Sequence, residues 1–457
     1  MIVSALEELR DALNVKEKNG KLTLKHNINK KTSFLPFQTR NPERAKFKNG
    51  FAPVLGQFFR YVEEVSSTFE LEKEALISEI AKDVEMDEAD RPHFERILED
   101  YLFQDNSIRV FHPIMYKYIP LSDSKEAKGE GEIAQYIYNA LLENESQEFS
   151  EILELKGSEH VLSRLIHQHM PQLPTEPSYR KYTASLPFIR ETFQEDLKTL
   201  LTNKEFFMNH IQLFLAYYYF YSASQLILKI NQFEKMESTS PTPIYYNLDW
   251  EASNRNRMAT TTGFKVIMEN SRKLLSHVNT LEHLNIIMQT EQRNYLELHE
   301  QFGALEEKEQ TRILDDVYQW TLEYSEIVLG NQDEIEEKHT FKESYRQLQQ
   351  QISKGLKLET KYRYALAINE IGKVYFLKTR GSLGNTLNVT QDFLILLTAL
   401  SVKQSKISLK QLFVEFEKRG VFLDRYSKEE VVELFNKLNL IEKKSDSGDA
   451  QYVKPIL

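Results

Sequence analysis

Not one of the 457 residues is cysteine, which excludes a disulfide scaffold, a thiolate nucleophile and any cysteine-held zinc or iron–sulfur site. Glycine and proline are scarce, at 15 and 13 residues. That is too few for a strand-and-turn architecture and suits long helices joined by short connections. No G-x-x-x-x-G-K-[ST] loop occurs, so ATP hydrolysis by the P-loop device is excluded. The opening MIVSALEELRDALNVKEKNG carries charges too early and too often for a signal peptide, and a cytoplasmic protein is expected. The most apolar stretch, 206–230, is interrupted by Asn209, His210, Gln212, Ser222, Ser224 and Gln225. A buried helix at the centre of a bundle is expected there, and no membrane span. Its aromatic run, Phe214 followed by YYYFY at 217–221, offers ring faces to nucleobases in principle, but its bulk and spacing fit core packing.

What the chain does have is length for two or three structural units, a hydrophobic fraction of 41% and a charged fraction of 28%. The expected class is mainly α, a multi-helix bundle with a C-terminal winged-helix domain. Helical periodicity is read over 51–66, 69–84, 91–103, 131–143, 148–156 and 158–168, with SDSKEAKGEGE at 122–132 expected as a flexible surface loop. A second block from Lys181 runs through the aromatic helix to the punctuation MESTSPTP at 236–243. Long helices are expected beyond it, over 262–293, 293–306, 308–329, 332–356 and 362–378. The units predicted are an N-terminal helical domain over 1–240, a central long-helix domain over 241–387 and a winged-helix domain over 388–457.

The last unit is written in its caps. Thr390 precedes the apolar QDFLILLTALSV; Ser408 and Gln411 have capping-box spacing with Ile407 placed to staple onto Leu412; Gly420 stops that second helix. Ser427 and Glu430 repeat the spacing, with Tyr426 and Val431 as a second staple, and open a third helix with an apolar stripe of Val431, Leu434, Phe435 and Leu438. Two short strands, LIEKK and AQYVK, then flank the turn SDSGD. Helix, bridge, helix, helix and a two-stranded wing is the order of a winged helix. The third helix of such a domain usually enters the DNA major groove. Here its outward positions include Glu429, Glu430 and Glu433, which would oppose phosphates and suit a protein partner instead. Across 388–457 eleven basic residues meet ten acidic ones, a balance of only +1.

Residues 16–50 stand apart from a chain whose net charge is -10: ten Lys or Arg (Lys16, Lys18, Lys21, Lys25, Lys30, Lys31, Arg40, Arg44, Lys46, Lys48) face two acids, a local +8. That asymmetry points either to a solvated, partly extended arm or to contact with a nucleic-acid backbone. Further candidate phosphate contacts are Arg255 and Arg257 in YYNLDWEASNRNR, Lys378 and Arg380 around TRGSLGNT, and Lys443 and Lys444 on the wing, with Lys454 beside them. The alternative for the Asp249–Arg257 stretch is a buried, salt-bridged junction, and for TRGSLGNT a simple turn.

The pattern offers no catalytic residues. His167 and His169 diverge by about 200° on a helix, so they do not pair as metal ligands. Glu359 and Lys361 in LETK lack the further carboxylates that a metal-dependent nuclease needs. No metal or other cofactor is expected.

Three stretches together, YYNLDWEASNRNR with Gly263 and Phe264 soon after, LNVTQDFLILLTAL, and FEKRGVFLDRYSKEEVVELFNKLNLIEKKSDSGDAQYVKPIL, resemble the DptG family of DNA phosphorothioation-dependent restriction proteins, the middle members of bacterial Dpt (Dnd-type) restriction complexes. The likeness covers mainly 240–457. It implies a role in restricting invading DNA that lacks phosphorothioate marks. In that role an adaptor joins ATPase/helicase and nuclease subunits and helps hold the DNA backbone, and it brings no catalytic residues. Two other classes fit the same features: a kleisin-like subunit of a DNA-organising ATPase complex, and a divergent metal-dependent nuclease.

Overall fold

Asn203 starts the helix around which the molecule is built. Its side-chain oxygen accepts from the Phe206 amide at 3.0 Å, and no glycine or proline follows before Pro241, so Lys204–Ile230 runs for 27 residues. This computed structural model describes residues 4–26, 31–66, 72–104, 107–142, 149, 166, 168–331, 335–443 and 451–457. Most of them are helical, and the chain is mainly α. From Phe214 to Ile230 every residue of the aromatic helix is buried, including Tyr217–Tyr221. Each such large apolar side chain contributes roughly 1.5–3 kcal/mol on leaving water. The tyrosine hydroxyls keep partners: Tyr221 donates to the Lys418 carbonyl at 2.9 Å, Tyr217 to the Arg419 carbonyl, and Tyr218 to the Asp196 carboxylate. No helix among the described residues is long and apolar enough to cross a membrane.

Phe264–Ile287 packs against the aromatic helix and is buried over most of its length, although its sequence is polar. Partners for several of its polar groups offset that burial, although Asn279 Oδ1 and His283 Nε2 have none among the described residues. Asn285 donates to the Leu281 and Arg293 carbonyls at 2.9 and 2.8 Å, and its oxygen accepts from the Arg293 amide at 3.0 Å. Trp320 Nε1 donates to His283 Nδ1 at 3.1 Å. Burial pulls both His277 and His283 down to about 3. Glu282 anchors the N-terminal segment: its carboxylate accepts from the Lys31 amide at 2.8 Å and from the Thr32 amide and hydroxyl at 3.0 and 2.6 Å.

One buried cluster runs from Leu9 to Val453 and draws on all three sequence spans. A second, smaller cluster gathers Leu76, Ile80, Leu98, Leu102 and neighbours. Tyr245–Leu248 pairs in parallel with Asn385–Val389 on one side and Phe422–Leu423 on the other, so a single four-stranded sheet stitches residues 245–248 to the C-terminal unit.

The helices read from periodicity reappear with shifted ends, as Ala52–Val62, Lys73–Lys82, Arg91–Leu102, Phe264–Ile287, Tyr295–Gly303, Glu307–Leu329, Phe341–Gly355 and Leu358–Tyr375. The expected helices over 148–156 and 158–168 lie almost wholly outside the described residues. The expected surface loop at 122–132 is corrected: Ala127–Tyr136 is a helix. Gly129 lets it approach the backbone of residues 43–45, where a Cβ would sit 2.5 Å from the Glu43 carbonyl oxygen. Glu130 is buried and accepts from the Ser122 amide and hydroxyl at 2.9 and 2.6 Å.

The C-terminal unit runs Gln391–Val402, Ile407–Ser408, Leu409–Lys418, Arg425–Lys437, Ile441–Lys443 and Gln451–Val453. The last three strands in that order form an antiparallel sheet with the final strand in the middle. Thr390 and Ser408 cap their helices as read, accepting from Phe393 and Gln411 amides at 3.2 Å each. Gly420 takes φ +76°, and a Cβ there would overlap the Tyr221 ring. The third cap is corrected. Asp424, not Ser427, accepts from the Ser427 amide at 3.0 Å, and the helix begins at Arg425.

Candidate nucleic-acid interface

The basic segment is not an extended arm. Thr32 to Phe37 are buried, and Phe34, Leu35, Phe37, Ala45 and Phe47 belong to the main core. Most of its cations from Lys31 onward are neutralised. Lys31 meets Glu291 and Glu8 at 3.1 and 3.4 Å; Lys46 and Lys48 share Glu126 at 3.3 and 3.8 Å. Arg44 is buried and bonded to the Asn41 side chain and the Arg363 carbonyl at 2.6 and 3.1 Å. Arg40 pairs with Glu43 at 3.1 Å while its side chain stays 78% exposed. Lys30 lies outside the described residues.

What remains free is a hairpin. Lys16–Lys18 pairs antiparallel with Lys21–Thr23 across an Asn19–Gly20 turn, whose φ values of 54° and 74° fit the two-residue turn that matches strand twist. The register sets Lys16 opposite Thr23 and Lys18 opposite Lys21, with Glu17 opposite Leu22. Alternation along a strand therefore puts Lys16, Lys18 and Lys21 on one face and Glu17 on the other. Like charges directly opposite one another are destabilising in isolation. These three lysines and Lys25 are exposed and have no acidic partner among the described residues.

The junction of residues 245–257 turns its cations inward. Arg257 is buried, bonds Asp424 at 2.6 and 2.8 Å, Glu251 at 3.0 Å, the Ser427 hydroxyl at 2.8 Å and the Ala252 carbonyl at 3.1 Å. Burial pushes the Glu251 carboxyl up against the opposing pull of Ser427 and Arg257. Burial also works against the charges of Arg257 and Asp424, but their mutual bonds hold Arg257 above and Asp424 below their ordinary values. Arg380 spends its guanidinium on the Glu251 and Leu248 carbonyls, both at 2.7 Å, and burial lowers its pKa. Lys378 meets the Asp249 carbonyl and carboxylate at 2.6 and 2.9 Å. Of the readings offered for this stretch, the geometry fits the salt-bridged junction: Arg257 and Arg380 turn their cationic heads to the loop, and Lys378 is paired with Asp249 at the surface. Arg255 alone of this group is exposed without an acidic partner among the described residues.

The third helix of the C-terminal unit is less acidic outside than its sequence implied. Its earlier start adds Arg425, which pairs with Glu429 at 2.8 Å, and Lys437 meets Glu433 at 3.6 Å. Glu430 is half-buried. Lys443 is exposed at the end of its strand; Lys444 lies outside the described residues, and Lys454 bonds the Asn439 side chain at 3.2 Å.

Sequence reasoning missed the deepest ion pair. Arg419, at 2% exposure, bonds Asp196 at 2.7 and 2.5 Å and Glu415 at 3.0 Å, tying the C-terminal unit to the Pro187–Leu200 helix. The partners lie 223 positions apart, so no local pattern announces them.

Among the described residues no group of three or more His, Asp or Glu is placed to hold a metal ion. Glu359 pairs with Arg363, and Lys361 donates to the Ser353 carbonyl at 2.9 Å. His169 meets Asp83 at 2.8 Å; His167 is outside the described residues. No protein-family model matches the chain, and no curated protein matches it.

Proposed function

We propose that this chain is a non-catalytic, DNA-contacting adaptor subunit of a phosphorothioation-dependent DNA restriction complex, joining ATPase/helicase and nuclease components. The observation that carries the DNA contact is the Lys16–Thr23 hairpin, which sets three lysines on one face with Lys18 opposite Lys21. A polyanion laid across that face relieves the repulsion, and it is read as charge rather than sequence because flexible lysines reach phosphates without a fixed fork at base edges. The restriction role itself is supported by the resemblance of residues 240–457.

The unit from Gln391 to Val453 is read here as a winged helix. In support, its helices and strands follow that order, and its first strand pairs with its last. We assign its third helix to a protein partner. Arg425 and Lys437 offset Glu429 and Glu433, leaving a mixed-charge face that suits a salt-bridged protein surface better than a phosphate row.

Co-purification of the tagged full chain from its native host, with and without nuclease treatment, tests the adaptor role. ATPase and nuclease subunits are expected to remain bound after nuclease digestion, and Glu430→Lys/Glu433→Lys to release at least one of them. Purified chain that cuts DNA in Mg²⁺ or Mn²⁺, with activity tracking the protein through purification, overturns the reading.

A further inference from the structure

Just past the lysine hairpin the chain borders a cleft of about 450 Å³, within the usual size of a small-molecule site. Leu24 and His26 line it on the hairpin side, and Phe37, Thr39, Asn279, Leu356, Lys357 and Thr360 form much of the rest. The Tyr324 hydroxyl, 2.7 Å from His26 Nε2, holds that ring in place. Two features ask for a ligand, and they ask for different chemistry. Lys357 is the N-cap of the 18-residue helix Leu358–Tyr375, and its side chain has no oxygen to accept from a first-turn amide. The Leu358 and Glu359 amides and the Lys357 ammonium have no partner among the described residues. A cation on the positive end of a helix dipole is destabilising alone, and an anion relieves it. Glu359 is given to Arg363 and does not line the cleft. Asn279, in turn, is fully buried and donates Nδ2 to the Leu275 carbonyl at 2.8 Å, so the atom left over is an acceptor: its Oδ1 has no partner among the described residues. No carboxylate lines the cleft among the described residues.

We infer that this cleft binds a nucleotide, with its phosphate on the uncapped helix end at Lys357 and its base edge giving an N–H to Asn279 Oδ1. The flat body of a base suits the apolar walls at Phe37 and Leu356, and Thr39 and Thr360 offer hydroxyls to the sugar or phosphate. An amino acid would bring an ammonium into a cleft whose lining has no carboxylate to meet it. A sugar phosphate would set hydroxyls against Phe37, Leu275 and Leu356. The nucleotide is either free or an unpaired residue of a strand lying on the hairpin. The site stands on its own lining; only the second source rests on the reading that the chain contacts DNA.

The test is isothermal titration of the purified full chain with AMP, with adenosine and with inorganic phosphate. AMP is expected to bind more tightly than either half. Lys357→Ser supplies the missing cap and removes the cation, so the helix should hold while AMP affinity falls about tenfold or more, the share of a charge-assisted hydrogen bond. Asn279→Leu replaces an unpaired buried acceptor at similar volume, and should weaken AMP about fivefold while leaving phosphate binding unchanged. Circular dichroism checks that both variants fold. No binding of AMP, or binding that Lys357→Ser leaves intact, overturns the site. Phosphate bound as tightly as AMP, with Asn279→Leu without effect, reduces the cleft to an anion site with water on Asn279 and overturns the nucleotide. A labelled duplex carrying one unpaired adenosine is then compared with a fully paired one. A preference for the unpaired adenosine that both variants erase makes the strand the source, and equal affinity makes it the free nucleotide. AMP binding with no binding of either duplex keeps the site and overturns only the DNA reading.

Discussion

Replacing Arg257 by methionine keeps most of the side chain's bulk and removes its charge. The change strands two carboxylates: Glu251, whose side chain is 2% exposed, and Asp424, at 11%. Glu251 Oε2 already lacks a partner, so the remaining oxygen would depend on Ser427 and the Leu248 amide alone. Removing one member of a buried pair costs about 3–5 kcal/mol, because the other charge stays behind unpaired. Asp424 retains its cap on the Ser427 amide, which favours the lower end, about 3 kcal/mol. Against a total stability on the order of 5–15 kcal/mol that is a large fraction. In urea unfolding followed by circular dichroism, the midpoint should fall by about 1 M for an m-value of about 3 kcal/mol/M. Arg257→Met/Glu251→Gln removes one stranded charge and should recover part of the loss. An unchanged midpoint for the single variant would refute the claim that Arg257 is committed to the junction and would return it to the list of phosphate contacts.

Gly420→Ala places a Cβ at φ +76° against the Tyr221 ring, and the combined backbone and packing cost should be about 2–4 kcal/mol by the same unfolding assay, whereas Gly330→Ala, at φ +78° with nothing near it, should cost only the backbone share of about 1 kcal/mol. Acid should destabilise the fold through His277 and His283. Their folded pKa of about 3 lies below the unfolded 6.5, so the stability they allow is complete above pH 6.5 and falls as pH drops toward 3; at pH 5 each costs about 2 kcal/mol. Stability measured at pH 7 and pH 5 should differ accordingly, and His277→Gln should flatten the difference by about half. A pH-independent stability across that range would contradict the neutral, buried histidines.

Much of the C-terminal unit was legible because its signals are local. Thr390, Ser408 and Gly420 act within a few residues of where they stand. The third cap was misread because Asp424 and Ser427 are both good capping residues, and what decides between them is Glu251, which takes the Ser427 hydroxyl at 2.8 Å from 176 positions away. The aromatic helix was readable from its apolar run. The basic segment was misread because charge was counted over a window that includes the apolar stretch Thr32–Phe37, whose anchor, Glu282, lies 250 positions on. Arg257 and Arg380 carry the same lesson: a cation's availability depends on partners that spacing cannot reveal. The helix at 127–136 was hidden by glycines that read as loop, although Gly129 serves close packing.

The hairpin bears most directly on DNA contact. Affinity of the full chain for a duplex of arbitrary sequence should be measured across a salt series, for wild type and for Lys16→Gln/Lys18→Gln/Lys21→Gln/Lys25→Gln. Four phosphate contacts release counterions with a slope of about -3.6 in log affinity against log salt, so the variant should bind more weakly at low salt and show a slope flattened by about that amount. Wild type and variant lying on the same line, with the same slope, would contradict a DNA-holding role for the hairpin.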